Sequence, residues 1–218
     1  LDLYRRDFTI NTLAINLSPH FFGELIDFFG ARRDIKEKTI RVLHNLSFVE
    51  DPSRIFRAVR FEQRFDFHIS KLSKNLIQNA IKMDFLKNLS GKRIFSELVL
   101  LLGEERIPGI IKRLHELKLL QYIHPSLQYD AALRSLLKNI GDVIAWFDLL
   151  YLDNGYEKWF VYLLGLFDRL QLDEIESVCR HFDIKKRYAG SLRIAKTIGN
   201  DILYAMATDG QDSTSINT

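Results

Sequence analysis

Residues 50 to 61, EDPSRIFRAVRF, set an acid pair, a proline and three arginines within one short stretch. Arginine carries a planar fork of donors that matches phosphate oxygens and the hydrogen-bonding edge of a nucleobase. Asp51 and Arg54, three residues apart, set an acceptor beside a set of donors, and such a pair can read a base. At about 100° per residue on a helix, Arg54, Arg57, Arg60 and Arg64 fall within one arc of roughly 120°. Ile55, Phe56 and Val59 take the opposite arc and can pack inward. Pro52 suits the first turn, and Asp51 ahead of it is the expected N-cap. Two readings of the stripe stand side by side: a face that meets water or carboxylates such as Glu62 and Glu97, and a face that meets a phosphorylated ligand.

The chain around this stripe is ordinary in composition. Its 218 residues are 47% hydrophobic and 27% charged, which is globular and not disordered. A formal charge of +3 is too small to mark a nucleic-acid binder, so clustering must decide. The single Cys179 excludes an internal disulfide and a multi-thiolate metal site, and it is compatible with a cytoplasmic setting. The six histidines are scattered without helical zinc spacing, so no metal ligands are expected. The longest apolar runs, such as LVLLL at 98–102, are far shorter than the roughly 20 residues that cross a bilayer.

The elements that must hold the stripe change character near Glu50. Before it, LAINLS, GELIDFFG and TIRVLH read as short strands between turn signals, with helical pieces near Ile10–Ala14 and Ala31–Lys36. After Asp51 the apolar residues recur at three and four, as in Ile94, Leu98 and Leu101, or Ile107, Ile110, Leu114 and Leu117. Breaks are expected at Ser90-Gly91, Gly103, Pro108, Pro125, Gly141 and Gly155, dividing the remainder into seven or eight helices. The fold class is therefore mainly α: a multi-helical array preceded by a small α+β part. The polar end of the chain reads as a frayed tail, and LDLYRRDFTIN at the start reads as the middle of a domain.

Five motifs in fixed order, RRDFTIN (5–11), DFFGARRDIKEKTIR (27–41), EDPSR (50–54), RAVRF (57–61) and SGKRIFSEL (90–98), resemble those of bacterial class II tRNA nucleotidyltransferases and their poly(A) polymerase relatives. The resemblance covers residues 1 to 128. It implies a polymerase head followed by a helical neck, body and tail: 1–48 as the end of the head, 49–128 as the neck and start of the body, 129–208 as body and tail, and 209–218 as flexible. It implies that Arg5, Arg6 and Asp7 handle the ribose of the incoming nucleotide. Asp51 and Arg54 would pair with the base of ATP or CTP, with Arg57 and Arg60 supporting the helix and approaching the triphosphate. Asp27, Gly30 and Asp34 resemble the hinge between head and neck, although the same aspartates suit turn and N-cap roles. Arg93 is equally suited to bridging Glu97 one turn on.

Three residues depart from the family pattern: Phe28 stands for the usual proline, Ala31 for a frequent glycine, and Lys92 for a frequent glutamate. The family's glycine-rich turn and the paired aspartates that bind Mg²⁺ are absent from these residues, so no catalytic carboxylate is assigned and the chain is expected to be inactive alone. The function implied is addition of AMP, alone or together with CMP, to RNA 3′ ends, chiefly tRNA. Lys185, Lys186, Arg187, Arg193 and Lys196 form the candidate RNA-phosphate cluster. Trp146, Tyr151, Tyr156, Trp159 and Phe160 precede the cluster in sequence, at spacing more typical of core than of base stacking. Two alternatives remain at this point: a helical RNA-binding module without a polymerase head, and a poly(A) polymerase acting on RNAs other than tRNA.

Overall fold

The computed structural model describes residues 2–151 and 155–198. The chain's polar end, including 209–218, lies outside the described residues. Strands β1 (Ala14–Ile15) and β2 (Leu25–Ile26) form an antiparallel hairpin in the register Ala14↔Ile26 and Ile15↔Leu25. Helix α1 (Ala31–Lys36) follows, then β3 (Thr39–Ile40) and a single turn, α2 (Ser47–Glu50). Helix α3 (Arg54–Phe65) leads to β4 (His68–Ile69), which pairs with β3 in parallel, Thr39↔His68 and Ile40↔Ile69. Parallel strands need a crossover, and α2 and α3 supply it.

Helices α4 (Lys71–Lys82), α5 (Gly91–Leu102), α6 (Ile107–Glu116), α7 (Ala131–Asp148), α8 (Lys158–Leu166) and α9 (Leu172–His181) complete the array, with a further helix at 186–198. Their starts are chemically marked. The side chains of Ser70, Ser90 and Asp130 accept the backbone N–H groups of Ser73, Arg93 and Leu133, and Gln171 with Glu174 closes a capping box. Their ends are unusual. Lys38, Asp66, Asp84, Lys118 and Asp183, each just past a helix, take left-handed φ between 51° and 58°, where glycine is the common choice.

One core runs through the array. Ile55, Phe56, Ala58 and Val59 of α3 are fully buried, as are Leu98, Leu101 and Leu102 of α5 and Ile107, Ile110, Ile111 and Leu114 of α6. Burying each large aliphatic or aromatic side chain is worth about 1.5–3 kcal/mol, so α3, α5 and α6 are each held firmly by the core. None of the described helices is long and apolar enough to cross a membrane.

Three local expectations are corrected. Asp51 does not cap α3; the helix begins at Arg54, and the Asp51 carboxylate instead accepts the N–H and Oγ–H of Ser53. Ile10–Ala14 is a short 3₁₀ turn, Thr9–Asn11, running into β1. Gly141 does not break the chain: α7 passes through it, and the Tyr162 hydroxyl lies 3.0 Å from where a β-carbon would sit. The break expected at Pro108 does fall there, with the proline in the first turn of α6.

Candidate functional site

The arginine stripe of α3 faces a cleft of about 450 Å³ lined by Arg5, Arg6, Asp7, Asn11, Asp51, Ser53, Arg54, Arg57, Arg93 and Glu97. Three stretches far apart in sequence meet there: the turn region 5–11, the start of α3, and the first half of α5. Asp7 joins the first two. Its Oδ1 accepts the N–H of Phe8 and the amide of Asn11, while its Oδ2 accepts Arg57 Nε at 2.6 Å. Asp7 is buried and Arg57 one-third exposed, so the pair is a partly desolvated pin between segments fifty residues apart.

Asp51 joins the second and third stretches. Arg93 Nη2 donates to both its oxygens, at 2.8 and 2.9 Å, and to Ser53 Oγ at 3.2 Å. Burial alone would raise the Asp51 carboxyl; the hydrogen bonds from Ser53 and the charge of Arg93 outweigh it and hold the group below the usual carboxylate range. Arg54 donates from Nη1 to the Ser47 carbonyl at 3.3 Å and lies 3.7 Å from Glu50. Its Nε and Nη2 have no partner among the described residues, so donors remain free beside the Asp51 acceptor.

The stripe is neither wholly solvated nor wholly offered to the cleft. Arg57 also reaches Glu97 at 3.9 Å, and Arg64 pairs with Glu104 at 3.3 Å. Arg60 is buried, lies over the Phe61 ring at 5.2 Å, and does not line the cleft. Desolvation lowers its pKa against the opposing charge of Glu97. Arg60 is thus packed within α3 behind the cleft wall. Burial raises the Glu97 carboxyl, opposed by Arg57 and Arg60. Glu62, weighed above as an arginine partner within the stripe, instead holds Arg113 of α6 at 2.6 and 3.1 Å.

Arg5 and Arg6 stand at the mouth, exposed and paired with Asp2. The hinge candidates are structural in their contacts. Asp27 accepts the N–H groups of Ala31 and Arg32 and so caps α1, and Gly30 supplies φ 75° between them. Asp34 is fully buried, accepting Thr9 Oγ1 at 2.7 Å and Arg41 Nε at 3.0 Å. Ala31 is fully buried, and Lys92 is exposed, 3.7 Å from Asp183.

Asn11, Arg93 and Glu97 line the cleft without having been assigned to it. Arg93 and Glu97 share one face of α5 at i, i+4 spacing, which suggested a mutual bridge; instead each turns to a different partner, Asp51 and Arg57. The candidate RNA cluster is dispersed by pairing: Arg187 meets Glu157 and Tyr188, Arg193 meets Glu176, and Lys196 donates to the Asp168 carbonyl. Lys185 and Lys186 have no ion-pair partner among the described residues. Trp146, Tyr151 and Tyr156 are exposed rather than core, whereas Trp159 and Phe160 pack on Tyr188.

Among the described residues no group of three or more His, Cys, Asp or Glu can hold a metal ion. The cleft carboxylates do not fit a divalent cation, since Asp7 and Asp51 are each held by a guanidinium and Glu97 sits between two.

The family model described as "Poly A polymerase head domain" matches residues 1–41, and that described as "Probable RNA and SrmB- binding site of polymerase A" matches 66–130. The chain is 50% identical over 206 residues to an A-adding tRNA nucleotidyltransferase of Geobacter sulfurreducens, covering 94% of this chain and 23% of that protein. It superimposes on a CCA-adding enzyme solved with ATP at a TM-score of 0.79 and 34% identity, over 94% of this chain and 49% of that one. A Thermotoga maritima CCA-adding enzyme complexed with tRNA gives the same TM-score and identity over 95% and 50%. The chain therefore spans about a quarter of that curated relative and half of those solved chains. Carrying the head match at one end, the RNA-binding match in the middle and the same fold across nearly all its length, the chain belongs to the tRNA nucleotidyltransferase and poly(A) polymerase family.

Proposed function

We propose that this chain is the base-selecting part of an enzyme that adds AMP to the 3′ end of tRNA, in synthesis or repair of the CCA end. The observation that carries the reading is the juxtaposition of Asp51, whose carboxylate is oriented by Arg93, with the free donors of Arg54. Adenine and cytosine each present an amino donor beside a ring-nitrogen acceptor; guanine and uracil present the reverse. An acceptor and a donor fixed side by side favour the first two and leave buried groups unpaired with the others. Arg57, pinned by Asp7, sets positive charge against the phosphates, and Arg5 and Arg6 stand where the sugar and phosphates enter. Arg60, buried in α3, and Glu97 of α5, 3.9 Å from Arg57, lie beneath them.

In this reading residues 1–48 end the head, 49–128 form the neck and early body, and 129–208 continue into body and tail. Relatives solved with ATP and with tRNA support nucleotide and RNA as ligands of this chain. Magnesium belongs to the complete enzyme's phosphoryl transfer, where it would stabilise charge on the phosphates; the residues described here act on the base, the sugar and the fit of the cleft. Lys185 and Lys186 carry the RNA contact, and a cytoplasmic setting goes with that substrate.

The test is Arg54→Ala in the complete protein, assayed with each nucleoside triphosphate. Base preference should relax more than turnover with ATP falls. Equal loss with every nucleotide would remove the base-reading role.

A further inference from the structure

Gly91 is the buried first residue of α5, and it is packed against the backbone of another helix. A β-carbon there would overlap the carbonyl oxygen of His181 and stand 2.8 Å from its carbonyl carbon. His181 is the last residue of α9, so the negative end of one helix seats on the positive end of the other. Two further contacts close the seam: Phe182 stacks on Phe95 with centroids 5.7 Å apart, and Lys92 reaches Asp183. Residues 181–183 thus clasp the first turn and a half of α5. Two residues beyond Gly91 on that same turn is Arg93, the side chain that holds Asp51.

We infer that Gly91 is a positioning residue for base selection: its missing side chain lets α9 seat on α5, and that seat sets where Arg93 holds the Asp51 carboxylate. The inference rests on the reading of Asp51 and Arg54 as the base-reading pair. Backbone cannot yield as a flexible side chain would, so any β-carbon at 91 must move one helix off the other. A displacement of about 1 Å at a positioning group can cost up to about a hundredfold in rate.

The test uses the complete protein and compares kcat/KM for ATP with that for GTP. Gly91→Ala should cut the preference for ATP by about tenfold. Phe182→Leu loosens the same seam without a wedge and should shift the preference in the same direction, so it decides if Gly91→Ala does not fold. Gly190→Ala, at a helical glycine with open space around it, is the control for the glycine-to-alanine change and should leave the preference unaltered. Folded Gly91→Ala or Phe182→Leu protein that keeps the parental preference, while Arg54→Ala loses it, would overturn the inference alone. If Arg54→Ala keeps it as well, the base-reading pair itself falls.

Discussion

Arg93 Nη2 lies 2.8 and 2.9 Å from the two carboxylate oxygens of Asp51, a residue forty-two positions earlier on a different element. The contact adds a second anchor to a carboxylate already held by Ser53 and engages both of its oxygens. Arg93→Ala should therefore cost little stability, about 0.5–1 kcal/mol for a half-exposed pair, yet lower nucleotide discrimination in the complete protein. Thermal unfolding alongside single-nucleotide incorporation separates the two effects.

The Asp7–Arg57 pair predicts the opposite balance. Asp7 is buried, and removing its charge leaves Arg57 with only the distant Glu97. Asp7→Asn should destabilise by about 3 kcal/mol, read by urea unfolding, and lower incorporation of all nucleotides alike.

Asp34 supplies a check on the hinge residues. With both oxygens engaged by Thr9 and Arg41 and no exposure, Asp34→Ala should cost about 3–5 kcal/mol whether or not nucleotide is bound. A variant of unchanged stability and impaired activity would restore the hinge as a moving part.

Glu97 sets a pH dependence. Its folded carboxyl is raised by burial above the ordinary 4.5, so between 4.5 and the raised value the folded chain binds more protons than the unfolded one. The contribution from this group is full below 4.5 and declines as pH rises through that window. Unfolding free energies measured across pH 4 to 7 should show a slope that Glu97→Gln diminishes.

RNA affinity should depend on Lys185 and Lys186 more than on Arg193, which is already committed to Glu176. Each lysine replaced by alanine should reduce the salt slope of binding by about 1, and Arg193→Ala should leave it nearly unchanged.

Much of this was legible in the residues. The change of period at Glu50, α1 at Ala31–Lys36, and the arginine arc on α3 all follow from local spacing, which backbone geometry enforces. The partners were less legible, because nothing local says that Arg93 turns to Asp51 while Glu97 turns to Arg57. Arg60 illustrates the limit: it shares the arc with Arg54, Arg57 and Arg64, yet tertiary packing buries it while Arg64 stays half exposed. Gly141 is another case, since a glycine that weakens a helix alone is tolerated once Tyr162 packs against it.

The left-handed residues that end the helices point to a route toward thermotolerance. Asp66, Asp84 and Asp183 offset the conformation with ion pairs to Arg106, Lys87 and Lys92. Lys38 and Lys118 have no such pair among the described residues, and both lie outside the cleft. Glycine at either position should recover about 1 kcal/mol of backbone strain, less what the freer unfolded chain takes back. The margin gained would let the cleft be re-engineered for other nucleotides without the protein failing to fold.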